Sequence, residues 1–178
     1  MTIDSQNLFL FNHISVMTNE IINSIKDFKP KSPKEFIGLD ATIGGGGHSY
    51  KLLKTFPDLR IIGLDQDPNA RKAASNNLLE FNQRVKILDT NFSDFNPSEK
   101  VSFIIADLGV NSNQIDDPKR GFSFQKDGPL DMRMNPNTQI NAQSLIKNLT
   151  EKESADLIFE YGDERLARKI ARKIKKDL

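Results

Sequence analysis

Apolar positions along the chain fall into short blocks separated by turn residues, and the blocks alternate between strand-like runs and helical spacing. Met17, Ile21 and Ile25 repeat at i, i+4 and i+8 with Ile22 beside them, which predicts a helix that ends before Pro30 and Pro33. An apolar run at 36–39 predicts a buried strand over 35–40, and Leu52, Leu53 and Phe56 predict a helix over 49–56. Arg60-Ile-Ile-Gly-Leu-Asp65 reads as a second strand. Asp67-Pro68 is a helix start, with Asp67 as N-cap and Pro68 at the first helical position. That helix is expected to run to about 81, turning Ala70, Ala73, Ala74 and Leu78 toward a sheet. Strands over 84–88 and 101–107 follow, the second the most apolar of all.

A β-α-β-α-β order whose strands close on Asp40, Asp65 and Asp107 predicts a parallel, doubly wound sheet, with ligands bound outside the carboxyl ends of its strands. The pattern then changes. Residues 109–140 are rich in Gly, Asn, Asp, Pro and Arg and read as a long ordered loop, which in a compact domain is usually functional. A short helix is expected over 141–149, and Thr150-Glu-Lys-Glu153 is a capping box opening another. Gly162 should break it, leaving a last helix over 163–176 with Leu166, Ile170 and Ile174 as its apolar stripe. Residues 1–12 form an arm of no defined pattern, and no internal repeat is visible.

Composition narrows the function. The 178 residues suffice for one core, and 37% hydrophobic with 28% charged residues fits a globular protein. A net charge of +1 gives no global attraction to nucleic acid, so any such contact must be a local patch. The absence of cysteine excludes disulfides, thiolate metal sites and a cysteine nucleophile, and with two histidines nothing recommends a metal site. His13 reads as a loop or cap residue. The apolar runs are too short for a membrane span, and the start of the chain, with Asp4 and Ser5-Gln6-Asn7, does not look like a signal or transit peptide. The expected location is cytoplasmic.

The chemistry centres on Asp40-Ala-Thr-Ile-Gly-Gly-Gly-Gly-His48. A strand running into four glycines and then a helix is the opening turn of a nucleotide-binding α/β domain, where glycine lets a ligand lie against the backbone. An Asp closing the second strand, Asp65, suits the two hydroxyls of an adenosine ribose. A dinucleotide fingerprint would require G-x-G-x-x-G/A, whereas Gly44-x-Gly46 here ends on Ser49. This spacing is a poor pyrophosphate cradle and favours S-adenosylmethionine over NAD. Asp107-Leu-Gly-Val, after the fourth strand, can hold a planar amine against such a donor. A carboxylate accepting a hydrogen bond from an exocyclic amine restores some of its nucleophilicity, so catalysis needs mainly positioning.

These residues resemble the ribosomal RNA small subunit methyltransferase H family, S-adenosylmethionine-dependent cytosine-N4 methyltransferases, from His13 to about Lys173. The marks are the glycine turn through Ser49, Gly63-Leu-Asp-Gln-Asp-Pro68, Asp107-Leu-Gly-Val-Asn-Ser-Asn-Gln-Ile-Asp116, the run from Arg120 to Met134, and Tyr161-Gly-Asp-Glu-Arg165. The resemblance implies a class I (Rossmann-like) methyltransferase sheet over 1–112 and the partial start of a helical, RNA-contacting insertion over 113–178. It implies a donor held by the Gly46-Gly47-His48 backbone, by Asp65 on the ribose and by Phe92 near the adenine, with Asp107 and Gln114 completing the site. The implied substrate is a cytidine in the decoding region of small-subunit ribosomal RNA, within an assembling subunit. Asn111 stands where the family usually has Ser. The family's later strands, with their His-Pro-Ala-Thr and Gln-Ala-Leu-Arg type motifs, are not in this sequence.

For RNA contacts, the basic last helix could lie along phosphates or could be a solvated face with Glu164 paired to Arg168. Arg120 and Arg133 among Phe122, Phe124 and Met132 could stack splayed bases, or Phe122 and Phe124 could belong to a half-buried strand. Three other readings stand beside the methyltransferase: an NAD-binding dehydrogenase, a non-catalytic donor- or RNA-binding remnant, and a DNA cytosine methylase.

Overall fold

The computed structural model describes residues 15–28, 30–32 and 35–178. The arm at 1–12, His13 and Pro33 lie outside the described residues. The chain forms two compact units, Met1–Gly109 and Val110–Leu178.

In the first unit the elements run α1 (Thr18–Lys26), β1 (Ile37–Asp40), α2 (Gly47–Thr55), β2 (Arg60–Asp65), α3 (Pro68–Asn77), a 3₁₀ turn (Leu79–Phe81), β3 (Val85–Asp89) and β4 (Phe103–Ile105). The four strands form a parallel sheet in the order β3-β2-β1-β4. This is the Rossmann-like arrangement expected of the motif order, with the chain reversing direction across the sheet beside β1. Register sets Gly38, Ile61, Val85 and Phe103 in one row and Asp40, Gly63, Ile87 and Ile105 in another, on the same face. That face meets Ile25, Leu52, Leu53, Ala74, Leu78 and Phe81 from the helices and the turn, and on the opposite face Ile37, Leu39 and Leu64 are buried as well. Asp67 caps α3 by accepting from Asn69 N–H at 2.9 Å with Pro68 just inside, as the sequence predicts.

Several element bounds differ from expectation: β1 begins at Ile37 rather than 35, and α2 spans Gly47–Thr55 rather than 49–56. The helix predicted to 81 ends at Asn77, and a 3₁₀ turn carries the chain on. The third strand begins at Val85 rather than Arg84. The fourth strand is three residues long, not seven; it pairs on one side only, and past Ile105 the chain leaves the ladder. Ser102 Oγ donates to the Glu35 carbonyl, and Asp107 N–H donates to Thr42 Oγ1 at 2.8 Å instead of extending the ladder. Phe103 and Ile105 pack into the core, while Ile104 between them is 63% exposed.

In the second unit the long loop is more structured than predicted. It contains α4 (Ser112–Asp116) and a 3₁₀ turn (Pro118–Arg120). Then come α5 (Ala142–Asn148), α6 (Glu151–Gly162) and α7 (Ala167–Asp177). The Thr150/Glu153 capping box forms as predicted. Gly162 is the last residue of α6, and the chain turns at Asp163, whose φ of 49° is left-handed. The final helix starts only at Ala167, so Leu166 stands before it and is exposed. Its buried contacts are Ala167 and Ala171 rather than the predicted Leu166–Ile170–Ile174 stripe, and α6 offers small residues too, Ser154 and Ala155. Small side chains let two helices pack closely, which the spacing of large residues does not reveal.

Candidate functional site

Parallel strands place their last residues along one edge, so Asp40, Asp65 and Asp89 close β1, β2 and β3 there, with Asp65 opposite Asp89 and Asp40 level with Gly63. Asp107 follows β4 by two residues on the same edge. Their environments differ sharply. Asp40 is buried, and its carboxylate accepts from Ser49 O–H at 2.6 Å and from Thr42 N–H at 3.3 Å. Burial pushes its carboxyl up from the usual 3.8, opposed by those two donors. It is a structural post for the turn, with both oxygens engaged inside the protein. Asp89 is held in an ion pair with Arg71 at 2.7 Å, and Arg71 also donates to the Asp65 carbonyl.

Asp65 is half-buried and accepts one backbone donor on each oxygen: Gly44 N–H on Oδ2 at 3.0 Å and Asp67 N–H on Oδ1 at 2.8 Å. Burial raises its carboxyl above 3.8, against the pull of those amides. Each carboxylate oxygen has a second lone pair, so the side chain is oriented by the protein and can still accept from a ligand. Asp107 is exposed, and its backbone N–H is fixed on Thr42.

The turn between β1 and α2 joins these two residues. Ala41 N–H donates to the Ile105 carbonyl and Ile43 N–H to the Leu64 carbonyl, so the turn is stitched alternately to β4 and β2. Gly44 and Gly46 have φ of 53° and 81°, which only glycine adopts without cost. Gly46 is the N-cap of α2 and has no side chain to occupy the amides of the first helical turn, so the N–H groups of Gly47 and His48 have no side-chain cap. The His48 ring is buried and its Nε2–H donates to the Val16 carbonyl at 2.8 Å, holding the segment before α1. Any part of His48 in binding is therefore its backbone. Phe92, past the end of β3, is 50% exposed. A cleft of about 600 Å³ beside α1 and the first turn of α2 shares only Gly47 with the predicted donor residues.

Gln114 belongs to the second unit. It is buried, and it forms a reciprocal cap with Asn111: Gln114 N–H donates to Asn111 Oδ1 at 2.9 Å, and Asn111 N–H to Gln114 Oε1 at 3.1 Å. This gives Asn111 a clear task, since Asn is among the better N-caps. In the same unit the two arginines expected to face RNA are occupied internally. Arg133 makes a two-pronged pair with Asp131, at 2.9 and 2.6 Å, and donates to the Thr138 carbonyl. Arg120 donates to the carbonyls of Arg133 and Met134. No strand forms at Phe122 or Phe124; Phe124 is fully exposed and the Arg120 guanidinium lies 6.0 Å from the Phe122 ring centre.

Sequence reasoning missed Thr42, whose hydroxyl ties the turn to Asp107; its only signal was its place between Asp40 and the glycines. It also missed the division of labour between Asp40 and Asp65, which stand at equivalent positions. Among the described residues, no group of three or more His, Cys, Asp or Glu is placed to hold a metal ion. Nor is any helix there long and apolar enough to cross a membrane.

The ribosomal RNA small subunit methyltransferase H of Prochlorococcus marinus subsp. pastoris (strain CCMP1986 / NIES-2087 / MED4) is 62% identical over 178 residues, 100% of this chain and 59% of that protein. The protein of the same name from strain MIT 9515 is 65% identical over 170 residues, 96% of this chain and 57% of that protein. The chain thus spans less than two thirds of the length of these relatives. A sequence model of the MraW methylase family matches residues 10–177. With that match running through both units, the chain belongs to the MraW methylase family.

Proposed function

We propose that this chain binds S-adenosylmethionine at the carboxyl edge of its sheet and serves methylation of a cytidine N4 amine in the decoding region of small-subunit ribosomal RNA, in the cytoplasm. The observation that carries the reading is the single turn, Ala41 to Gly44, that orients Asp65 on one side and anchors Asp107 on the other. The residues present fit the donor: an oriented carboxylate with spare lone pairs, left-handed glycines, and a glycine N-cap that offers no side chain to the first-turn amides. S-adenosylmethionine supplies, when bound, a methyl group already activated on a sulfonium. Asp65 accepts from the ribose hydroxyls, the Gly46-Gly47-His48 backbone borders the donor, and the exposed Phe92 ring lies against the adenine. Asp107 accepts from the substrate amine and holds its lone pair toward the methyl group. Gln114 enters the site on the family resemblance alone, and residues 113–178 supply RNA contacts.

Calorimetric titration tests the donor site. S-adenosylmethionine should bind and NAD should not, and Asp65→Ala should weaken donor binding at least about tenfold, as expected for loss of charge-assisted bonds. Binding of NAD instead would favour the dehydrogenase. Transfer from labelled donor to immature small subunits, beside a DNA control, tests the reaction; donor binding without transfer would identify a binding remnant.

A further inference from the structure

The predicted site residues leave unexplained how Asp107 keeps its place. It is exposed, it lies beyond a three-residue edge strand, and the ladder bonds that would hold a strand residue do not reach it. Its backbone N–H donates to Thr42 Oγ1 at 2.8 Å, a contact across 65 positions of sequence. Thr42 is itself held. Its backbone N–H donates to Asp40 Oδ1, and the other oxygen of Asp40 takes the Ser49 hydroxyl from the first turn of α2. Its neighbours Ala41 and Ile43 are fixed to β4 and β2. Ser49, Asp40, Thr42 and Asp107 are therefore linked in one line, from a buried helix turn to the backbone N–H of Asp107.

We propose that Thr42 is a positioning residue, whose hydroxyl sets the distance between Asp107 and the glycine turn. The inference rests on the part given to Asp107 under Proposed function. A β-branched side chain suits this task because its χ1 angle is restricted, so the hydroxyl is presented in one direction. Thr42 needs no contact with donor or substrate to act. Losing its hydroxyl releases the Asp107 backbone while the donor side of the turn, fastened through Gly44 to Asp65, stays in place. A misplacement of about an ångström at a reacting group is enough to cost a large factor in rate.

The test compares Thr42→Val, which keeps the shape and removes the acceptor, with Thr42→Ser, which keeps the hydroxyl. Amide exchange of Asp107, read by NMR on the whole 178-residue chain, is the direct measure. Exchange should quicken roughly fivefold or more in Thr42→Val, in line with the net worth of one hydrogen bond, and stay within about twofold in Thr42→Ser. Donor affinity should change by less than about threefold in both variants, and methyl transfer should fall about tenfold or more in Thr42→Val alone. Unchanged Asp107 exchange in Thr42→Val, equal loss in both variants, or full transfer by Thr42→Val would each overturn the proposal. Failure of the unsubstituted chain to bind donor would instead bring down the methyl-transfer reading, and the exchange measurement would still decide the Thr42 link by itself.

Discussion

Asp40 and Asp65 are the last residues of neighbouring strands, yet one is a post and the other a candidate ligand. The difference lies in how each carboxylate is surrounded. Asp40 is sealed under the glycine turn and meets the Ser49 hydroxyl and the Thr42 amide, whereas Asp65 stays half-open and takes one amide per oxygen. Burial raises both carboxyls above 3.8. A folded carboxyl that holds its proton more tightly than the unfolded chain favours folding most below about pH 3.8, and that contribution is lost as pH rises through the folded value. Asp40→Asn removes one of the two groups while keeping an acceptor for Thr42 and an amide that can face Ser49. Denaturant unfolding from about pH 4 to about pH 7 should therefore show a flatter decline in stability in the variant. An unchanged profile would show that Asp40 does not carry this cost.

At the scale of elements, the lesson is Arg84. Sequence periodicity assigns it to the third strand, and its backbone does bond β2, with Ile61 N–H donating to its carbonyl. Its side chain, however, reaches over the C-terminal end of α2. The guanidinium donates to the carbonyls of Leu53, Phe56, Pro57 and Leu59 at 2.9–3.2 Å and lies 5.0 Å from the Phe81 ring centre. A cation there satisfies carbonyls the helix cannot and complements its dipole. Arg84→Met keeps the apolar stem and removes the donors, and should lower stability by about 2 kcal/mol, measured by the urea midpoint at constant slope. A change below about 0.5 kcal/mol would reduce the cluster to a surface contact. The elements themselves were readable because each has a local cause: Pro68 after an N-cap, four glycines after a strand, Thr150 three residues before Glu153. The short fourth strand and the late start of α7 were not readable, since edge pairing and close packing of Ala167 and Ala171 depend on neighbours distant in sequence.

For the whole molecule, a net charge of +1 conceals a local concentration on α7. Arg172 pairs with Glu151, Lys173 with Asp177, and Lys175 donates to the Ile146 carbonyl. The Glu164–Arg168 pair expected of a solvated face is absent among the described residues, where Glu164 instead accepts from Leu166 N–H. Arg168, Lys169 and Lys176 are exposed and enter no ion pair among the described residues, so they are the cations open to a polyanion. Replacing these three by Gln should weaken RNA binding about equally across sequences and lower the log–log salt slope by about two, with helix content unchanged by circular dichroism. An unaltered slope would remove α7 from the RNA surface. By itself the sequence determined the parallel α/β order, the caps and turns, and the family, because each follows from bonding among residues close along the chain or from motifs in a fixed order. Only the tertiary structure decided which carboxylate is buried, which arginines are already engaged, and that Thr42 holds Asp107. Those outcomes depend on which donors folding brings within reach of each side chain, and spacing along a strand does not contain that information.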